Sequence, residues 1–470
     1  MKKMMKKVIS LAMTAMLSVC ALAGCNNTGD GGSGDGASDK IEITVSISGT
    51  DASEGALMGK WKTAYEAKND KVKINIKNFT SDYTQTMMSY VQSAKQMPDI
   101  MWTTGEKHGP WSDAGAFVDL KPMIDADSSI NLNDFYAEIV NATHKNSQDS
   151  GIYFMPRDYN KCVLVINKVM FKAAGFSDAE IDGLKDGWDY DKFIETCDRL
   201  VEAMKNNRNP ALGIRENSVA VDARMDFNAV YCSFVKHYGG EFVENGAVDF
   251  LSDKNLAAYG EIFNLIDKGY IAESSKKSSA TFTTLSAAMK IEVRPTLPSL
   301  PTGENYDIDF LPLPLDTVGV GCSGYAITNV AKTRVSESAL NTEKKTNEDY
   351  AFDFLKYIVS EEGQKVGAET GSIIPVRKSL ANDASWTTYM DAGLNHAAFI
   401  SAPEKDFSLT IFQDFEADDA ALLLDSLSGA MAQVIIGRNY PDGYKTSGYQ
   451  DLKASIQPYQ NAIANIRAKY

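Results

Sequence analysis

The segment Ile41-Glu42-Ile43-Thr44-Val45-Ser46-Ile47 alternates apolar and polar side chains without a break. Such alternation is typical of a β-strand with one buried face. Residues 72–76 repeat the pattern, and between the two segments Leu57, Trp61 and Tyr65 have helical spacing. The order strand, helix, strand predicts that the ordered part of the chain opens with an α/β lobe.

Further strands and helices alternate along the chain. A helix over residues 83–96 is followed by a buried strand at residues 100–102. Residues 163–166 predict a strand that opens a second lobe, with helices over residues 190–204 and 256–268 after it. Because parallel sheets place ligands at the carboxyl ends of their strands, the loops after these strands are candidate binding loops.

The size and charge of the chain limit the classes of function. Of 470 residues, 44% are hydrophobic and the net charge is −15. The first 24 residues contain four lysines and no acids, so the remaining 446 residues form a chain of about −19, long enough for two lobes. This charge argues against nucleic acid and anionic lipid as partners, and it favours a neutral or cationic ligand.

The N-terminus has the pattern of an export signal that ends in a cysteine. Four lysines precede an apolar run over residues 8–21, and Leu22-Ala23-Gly24-Cys25 follows. This resembles the lipobox of bacterial lipoproteins, which implies a signal peptide over residues 1–24 and lipidation of Cys25, for example with palmitate. An ordinary secretory signal and a transmembrane helix are the alternatives, but about 14 apolar residues are too few to span roughly 30 Å of hydrocarbon.

This resemblance also predicts where the protein resides. Residues 25–39 are rich in Gly, Ser and Asp and are expected to form a flexible tether. The protein would be held at the extracytoplasmic face of the cell membrane by its lipid alone.

The other cysteines and the histidines form no recognisable metal or disulfide pattern. Cys162, Cys197, Cys232 and Cys322 are far apart in the sequence, and the chain has no C-x-x-C motif among them. We therefore expect four small core residues, and neither a metal nor a cofactor.

Several separated segments resemble the extracellular solute-binding proteins of ABC importers, in the sugar-binding group that includes maltose-binding protein. They occur in the expected order and cover nearly the whole chain after the tether. They are Pro98-Asp99-Ile100-Met101-Trp102, Gly115-Ala116-Phe117-Val118-Asp119-Leu120, Asn167-Lys168-Val169-Met170-Phe171, Tyr238-Gly239-Gly240-Glu241-Phe242, Ala287-Ala288-Met289, Phe354-Leu355-Lys356-Tyr357-Ile358, Ser360-Glu361-Glu362-Gly363-Gln364 and Ile374-Pro375-Val376-Arg377.

The resemblance implies a two-lobe α/β fold of the type II periplasmic-binding-protein class, with a ligand cleft between the lobes. The chain would cross between lobes near residues 157–161, 321–324 and 373–377. The implied lobes are residues 40–157 with 325–376, and residues 158–324 with 377–470. The implied function is a monomeric, non-catalytic receptor that delivers an oligosaccharide to a membrane permease driven by a separate ATPase.

A sugar site needs aromatic platforms and a lining of hydrogen-bonding side chains. Glu106 and Lys107 match the family segment in which an acid and a base contact sugar, although a solvated loop pair is an equal alternative. Trp102 either stacks on a ring or fills the core, with the core slightly favoured. Trp111 in the turn Gly109-Pro110-Trp111 either stacks on sugar or packs beneath its loop.

The first crossing provides two further candidates, Asp158 and Asn160. Relatives have a carboxylate where Asn160 stands, so this contact is altered here. Asp158 either compensates for the missing carboxylate or caps the hinge.

In the second lobe, Asp226 and Asn228 precede a helix, and one of them is expected to be its N-cap. Glu292 and Arg294 follow the strand at Ala288-Met289, at a place where relatives often have a tryptophan and where the nearest residue here is Pro295. Tyr325 either supplies a replacement platform or is buried in its strand. These departures mean that maltose cannot be transferred to this chain as its ligand.

Other classes of function remain open in the sequence. A surface glycosidase would need two carboxylates about 5 to 10 Å apart, and 62 acidic residues do not exclude such a pair. A binding protein for a polyamine, a peptide or a metal is compatible with the acidic charge. No nucleophile motif or phosphate loop supports an enzyme.

Overall fold

The computed structural model describes residues 39–49, 52–79, 83–93, 96–206, 218–272, 281–435 and 449–468. The predicted signal peptide, Cys25 and residues 25–38 of the predicted tether lie outside the described residues. None of the helices in these ranges has the length and apolar character needed to cross a membrane.

The opening segment forms the centre of the first sheet. Ile41–Ser48 pairs in parallel with Val72–Phe79 and with Ile100–Thr104. These three predicted strands are confirmed, each extended by one to three residues. The sheet has five strands, in the order Val72–Phe79, Ile41–Ser48, Ile100–Thr104, Ser323–Ile327 and Met155–Pro156.

One helix between the first two strands covers this sheet. The helix Ala52–Lys68 buries Leu57, Trp61 and Tyr65, as its spacing predicts. The indole Nε1 of Trp61 donates to the carbonyl of Gly363 at 2.6 Å, which joins this helix to a segment 302 residues later.

The second sheet has four strands, and its helices begin and end close to the predicted positions. The strand order is Ile308–Pro312, Val163–Asn167, Ala287–Glu292 and Val219–Asp222. The predicted helix at residues 190–204 spans Tyr190–Asn206. The helix predicted at 256–268 spans Asp253–Asp267. It begins three residues earlier than predicted because the Ser252 side chain caps it by accepting a hydrogen bond from the Asn255 backbone N–H.

The remaining elements surround the two sheets. The other helices and 3₁₀ turns are Tyr83–Gln92, Gly109–Asp113, Lys121–Ala126, Leu132–Asp134, Ala137–Asn141, Lys168–Ala173, Asp178–Gly183, Asn228–His237, Arg294–Ser299, Asn329–Lys332, Asn347–Val359, Glu361–Ala368, Lys378–Leu380, Ala384–Thr387, His396–Ile400, Pro403–Lys405, Ala417–Ile435, Gln450–Ala462 and Ala464–Arg467. A separate hairpin pairs Val243–Glu244 with Ala247–Val248.

Three short strands connect the two large sheets at the crossings. Gly319–Gly321 pairs with Asn160–Lys161 on one side and with Phe407–Ser408 on the other. The Tyr159 backbone N–H donates to the Ile374 carbonyl at 3.1 Å, so the first and third predicted crossing segments are also in contact. The molecule therefore has the predicted two-lobe fold, with its crossings packed together as a hinge.

The four cysteines of the folded part confirm the prediction of core residues. Cys162, Cys197, Cys232 and Cys322 are all buried and all free. Burial raises the pKa of the Cys162 thiol to about 12. Such thiols are poor nucleophiles at neutral pH.

Candidate functional site

The cleft between the lobes is formed by the carboxyl ends of strands from both sheets. In the first sheet, Ile100–Thr104 ends in a turn that leads into the helix Gly109–Asp113. In the second sheet, Val219–Asp222 runs parallel to Ala287–Glu292, so both strands end at the same edge. The loop after Asp222 leads into the helix Asn228–His237.

Two predicted site residues meet across this cleft. The side-chain amide of Asn228 donates a hydrogen bond to Oε1 of Glu106. Burial raises the pKa of Glu106, although the Asn228 hydrogen bond and the Lys107 charge oppose the rise. Lys107 itself is exposed. The structure thus brings an acid of the first lobe together with an amide of the second.

The structure corrects the prediction for the cap of the helix Asn228–His237. Its N-cap is Phe227, which makes no side-chain cap hydrogen bond. Asn228 is instead the first helical residue, and its Oδ1 accepts from the Ala229 backbone N–H at 2.8 Å. Asp226 is exposed in the loop before the helix. Asn228 therefore has its amide N–H available for Glu106.

Trp102 and Thr104 present unpaired polar atoms at the end of the first sheet. The half-buried Trp102 packs edge-on against Tyr83, with ring centroids 5.5 Å apart. Its Nε1 and the hydroxyl of Thr104 are buried, and neither has a hydrogen-bond partner among the described residues. Since residues two apart on a strand share a face, both side chains lie on one side of the sheet.

Asp158 and Asn160 lie at the first crossing, as predicted. Oδ1 of Asp158 accepts from the Ser323 backbone N–H at 2.8 Å, and its Oδ2 lies 3.6 Å from the Arg157 guanidinium. Burial raises the pKa of Asp158, and the Arg157 charge opposes this rise. Asn160 pairs with Gly321, and its buried Oδ1 has no donor in the described ranges. Asp158 thus joins two crossings, whereas Asn160 has an unpaired acceptor.

Three predicted site residues lie inside the lobes rather than at the cleft surface. Trp111 is buried beneath its loop, with Nε1 donating to the Met88 sulfur at 2.9 Å. Tyr325 is 0% exposed and donates to Glu54, and Arg294 is also 0% exposed. For Trp111 and Tyr325 this burial favours packing, which was one of the two alternatives for each, and it also places Arg294 in a packed interior. Ligand contact would require each side chain to leave a packed core.

Arg294 is held by groups of the segment 386–396. One guanidinium nitrogen contacts Nδ1 of His396 at 2.8 Å, and the other donates to the Trp386 carbonyl at 2.8 Å. Burial lowers the pKa of Arg294 to about 10 and that of His396 to about 4. Arg294 therefore fixes the segment around residues 386–396 rather than facing the cleft.

A cavity of about 300 Å³ adjoins Glu106 and Lys107. Its other wall is formed by a C-terminal segment that contains none of the predicted site residues. That wall is lined by Leu409, Thr410, Ile411, Phe412, Gln413, Phe415, Ala417, Ala420, Ala421, Leu424 and Asp425. The apolar spacing of the helix Ala417–Ile435 predicts a face that packs against the protein, but it does not predict that part of this face lines a cavity.

The described residues contain no group of three or more His, Cys, Asp or Glu side chains that could hold a metal ion.

Solved structures with the same fold cover nearly the whole chain. The ABC substrate-binding protein Lmo0181 from Listeria monocytogenes, solved with cycloalternan, has a TM-score of 0.67 and 15% identity, covering 90% of this chain and 99% of its own. The sugar-binding protein MalE from Xanthomonas citri has a TM-score of 0.67 and 16% identity, covering 91% and 98%. UgpB from Mycobacterium tuberculosis, solved with glycerophosphocholine, has a TM-score of 0.65 and 17% identity, covering 92% and 99%.

No curated protein matches the sequence at a significant level. At identities this low, the structural likeness establishes the fold and leaves the ligand open. A model of the family described as bacterial extracellular solute-binding protein matches residues 60–393, which is most of the chain. The chain therefore belongs to the bacterial extracellular solute-binding protein family.

Proposed function

We propose that this protein is the substrate-binding subunit of an ABC importer, which captures an oligosaccharide between its lobes and delivers it to a membrane permease driven by a separate ATPase. The observation that carries the proposal is a set of buried, unpaired polar atoms at the end of the first sheet and at the first crossing. They are a donor on Trp102, a hydroxyl on Thr104 and an acceptor on Asn160. Sugar hydroxyls both donate and accept hydrogen bonds, so one polyol can satisfy all three types.

The energetic reason is the cost of leaving such groups unpaired. A buried donor or acceptor without a partner costs about 1 to 3 kcal/mol. A ligand that supplies the missing partners recovers this cost, whereas an apolar ligand does not. The described cleft residues therefore favour a hydroxyl-rich ligand over a purely apolar one.

The proposed contacts come from both lobes. Trp102, Thr104, Glu106 and Lys107 would contact the ligand from the first lobe, and Asn228 from the second. The Asp226 carboxylate lies nearby on an exposed loop and remains a candidate. Closing the lobes around a ligand would bring these groups together and would distinguish the loaded receptor from the empty one.

Hinge residues would couple binding to closure. Asn160 would contact the ligand at the first crossing. Because Asp158 accepts a hydrogen bond from the Ser323 backbone N–H, a shift of the first crossing on ligand binding would also move the second crossing. We propose the lobe boundaries 40–157 with 325–376, and 158–324 with 377–470. In support, the Asn395 backbone N–H donates to Oδ1 of Asp309 in the second sheet at 2.8 Å.

The relatives fit a binding function without catalysis. The Listeria protein was solved with cycloalternan, which is an oligosaccharide, whereas the Mycobacterium protein was solved with glycerophosphocholine. Both ligands are polar and rich in oxygen atoms. We propose that this protein acts as a monomer and that it has no catalytic residue.

We also propose that the receptor is lipid-anchored through Cys25 at the outer face of the cell membrane. A tether of about 15 residues has a root-mean-square reach of roughly 20 Å. That reach would keep the receptor close to its permease. Mass spectrometry of the N-terminal peptide from membranes should find an acylated Cys25, and Cys25→Ala should release the protein from the membrane fraction; an unmodified Cys25 would contradict the anchor.

A thermal-shift screen over linkage-defined neutral oligosaccharides tests the function, because a ligand bound only by the folded state raises Tm. For the best hit, Thr104→Val should weaken binding about tenfold while leaving the unfolding free energy of the empty protein unchanged or higher. Thr103→Val is the matched control, because Thr103 points to the opposite face of the strand. Calorimetry that detects no oligosaccharide binding would refute the proposal.

A further inference from the structure

The cavity beside Glu106 and Lys107 has walls of opposite character. Its volume is about 300 Å³. It lies between the turn after Ile100–Thr104 and the helix Ala417–Ile435. It is therefore continuous with the proposed sugar site but extends beyond it.

The wall contributed by the first lobe is polar. It contains Glu106, Lys107, Asp113 and Lys145. The Lys145 ammonium lies 4.4 Å from the centroid of the Tyr153 ring. This wall offers charges and hydrogen bonds to the part of a ligand that carries hydroxyl groups.

The opposite wall is mainly apolar, although Thr410, Gln413 and Asp425 also line it. It is lined by Leu409, Ile411 and Leu424 together with alanines of the helix Ala417–Ile435. Phe412 and Phe415 are also present, but they are buried and pack edge-on against each other with centroids 6.2 Å apart. This wall therefore offers branched and linear hydrocarbon surface rather than an open aromatic face.

Contacts between the two walls define the limits of the cavity. The Ser147 backbone N–H donates to Oδ1 of Asp414 at 2.7 Å. A Cβ atom placed on Gly109 would lie 3.6 Å from Cβ of Ala417, which is ordinary van der Waals contact. The walls thus approach each other at their ends and leave the space between them for a ligand group.

We propose that this cavity accepts an aliphatic substituent, an alkyl or acyl chain, carried by the saccharide ligand. The inference rests on the proposed function for the saccharide part, because Glu106 and Lys107 border both regions. Sugar rings favour flat aromatic surfaces through their C–H faces, which this wall does not present. Hydrocarbon chains favour aliphatic walls because their burial removes apolar surface from water.

The first test uses an uncharged apolar dye, N-phenyl-1-naphthylamine, which contains no sugar. Its fluorescence should rise saturably with the wild-type protein. Leu424→Glu should weaken dye binding at least tenfold, because a carboxylate would enter the aliphatic wall. Leu422→Glu is the matched control, since Leu422 is on the same helix, is 43% exposed and does not line the cavity.

A second variant keeps the test valid if Leu424→Glu fails to fold. Ala421 lines the cavity from an exposed position, so Ala421→Phe should fill the space without disturbing the core and should also weaken dye binding. Dye binding that is absent in the wild type, or equal in the wild type and all three variants, would overturn the proposal.

The second test uses alkyl glycosides of the saccharide that binds best. Each buried methylene should tighten binding about fourfold until the chain exceeds the cavity. Oligosaccharide binding with no gain from the alkyl chain would refute the cavity proposal and leave the receptor function standing. Dye binding that depends on Leu424, without any oligosaccharide binding, would refute the receptor function and support the apolar site.

Discussion

The side-chain amide of Asn228, at the start of a second-lobe helix, donates a hydrogen bond to the carboxylate of Glu106 in the first lobe. This contact exists only while the lobes are close together. Burial raises the pKa of Glu106 from its ordinary 4.5 in this arrangement. Opening the cleft would return the carboxylate to water and restore its ordinary pKa, so the closed form binds a proton more tightly than the open form.

Ligand affinity should therefore depend on pH through Glu106. Closure is most favoured below pH 4.5, and this advantage is lost as the pH rises through the raised pKa of Glu106. Calorimetry across this range should find weaker binding with rising pH in the wild type and a flatter profile in Glu106→Gln. Glu202→Gln, on an exposed part of another helix, should retain the wild-type profile. Identical profiles for the wild type and Glu106→Gln would contradict the prediction.

A buried ion pair lies at the hinge. Nζ of Lys161 lies 2.6 Å from Oδ1 of Asp406, and their side chains are 3% and 1% exposed. Tyr159 donates a hydrogen bond to the other oxygen of the same carboxylate. Asp406→Ala would leave the buried Lys161 ammonium without its carboxylate partner and with only the Ser401 carbonyl as acceptor. We expect the unfolding free energy in urea to fall by about 3 to 5 kcal/mol.

The exposed pair between Lys254 and Glu244 is the control for this variant, with side chains 58% and 55% exposed. Glu244→Ala should cost at most about 1 kcal/mol. The double variant Lys161→Met with Asp406→Leu should recover most of the stability, because no charge then remains buried. If Asp406→Ala and Glu244→Ala lowered the unfolding free energy equally, burial of the Lys161–Asp406 pair would have no effect on the cost of breaking it.

The sequence predicted the elements of this fold better than it predicted the site. Alternation in residues 41–47 and helical spacing around Trp61 report burial directly, since each pattern depends on which face is covered. Trp111 and Tyr325 have no such local signal, because a buried and an exposed ring look alike in sequence. The wall containing Leu424 lies over 300 residues from Glu106 along the chain, so only the tertiary structure brings the two together.

Histidine burial should make the stability of the protein fall in weak acid. Burial lowers the pKa of His108 from 6.5 to about 4. The unfolded chain therefore binds a proton between these values while the folded protein does not, so stability is lost as the pH falls through this window. Between pH 7 and pH 5 the loss from His108 should be about 2 kcal/mol.

The contribution of His108 is isolated by comparing two proteins at two pH values. Nδ1 of His108 lies 3.0 Å from the Ser112 hydroxyl, and Gln at position 108 retains a polar side chain there. Urea denaturation at pH 7 and pH 5 should give a smaller loss for His108→Gln than for the wild type. A loss of equal size in both proteins would assign the acid sensitivity to other groups.

The glycines of the second crossing should respond differently to the same substitution. A Cβ on Gly324 would lie 2.3 Å from the Met155 carbonyl oxygen, a backbone atom that cannot move without breaking the strand pairing. On Gly321 the nearest atom would be Cδ1 of Leu409 at 3.5 Å, which is an ordinary contact. Gly324→Ala should therefore lower the unfolding free energy by about 1 to 3 kcal/mol.

Gly321→Ala should instead be neutral or stabilising by up to about 1 kcal/mol, because alanine reduces the freedom of the unfolded chain. If Gly321 also supplies the backbone freedom for lobe closure, this variant should slow ligand-induced closure in stopped-flow fluorescence without losing stability. Gly324 then has a packing role and Gly321 a role in motion. Equal destabilisation by both substitutions would contradict this division and would indicate that the whole crossing is packed as tightly as Gly324.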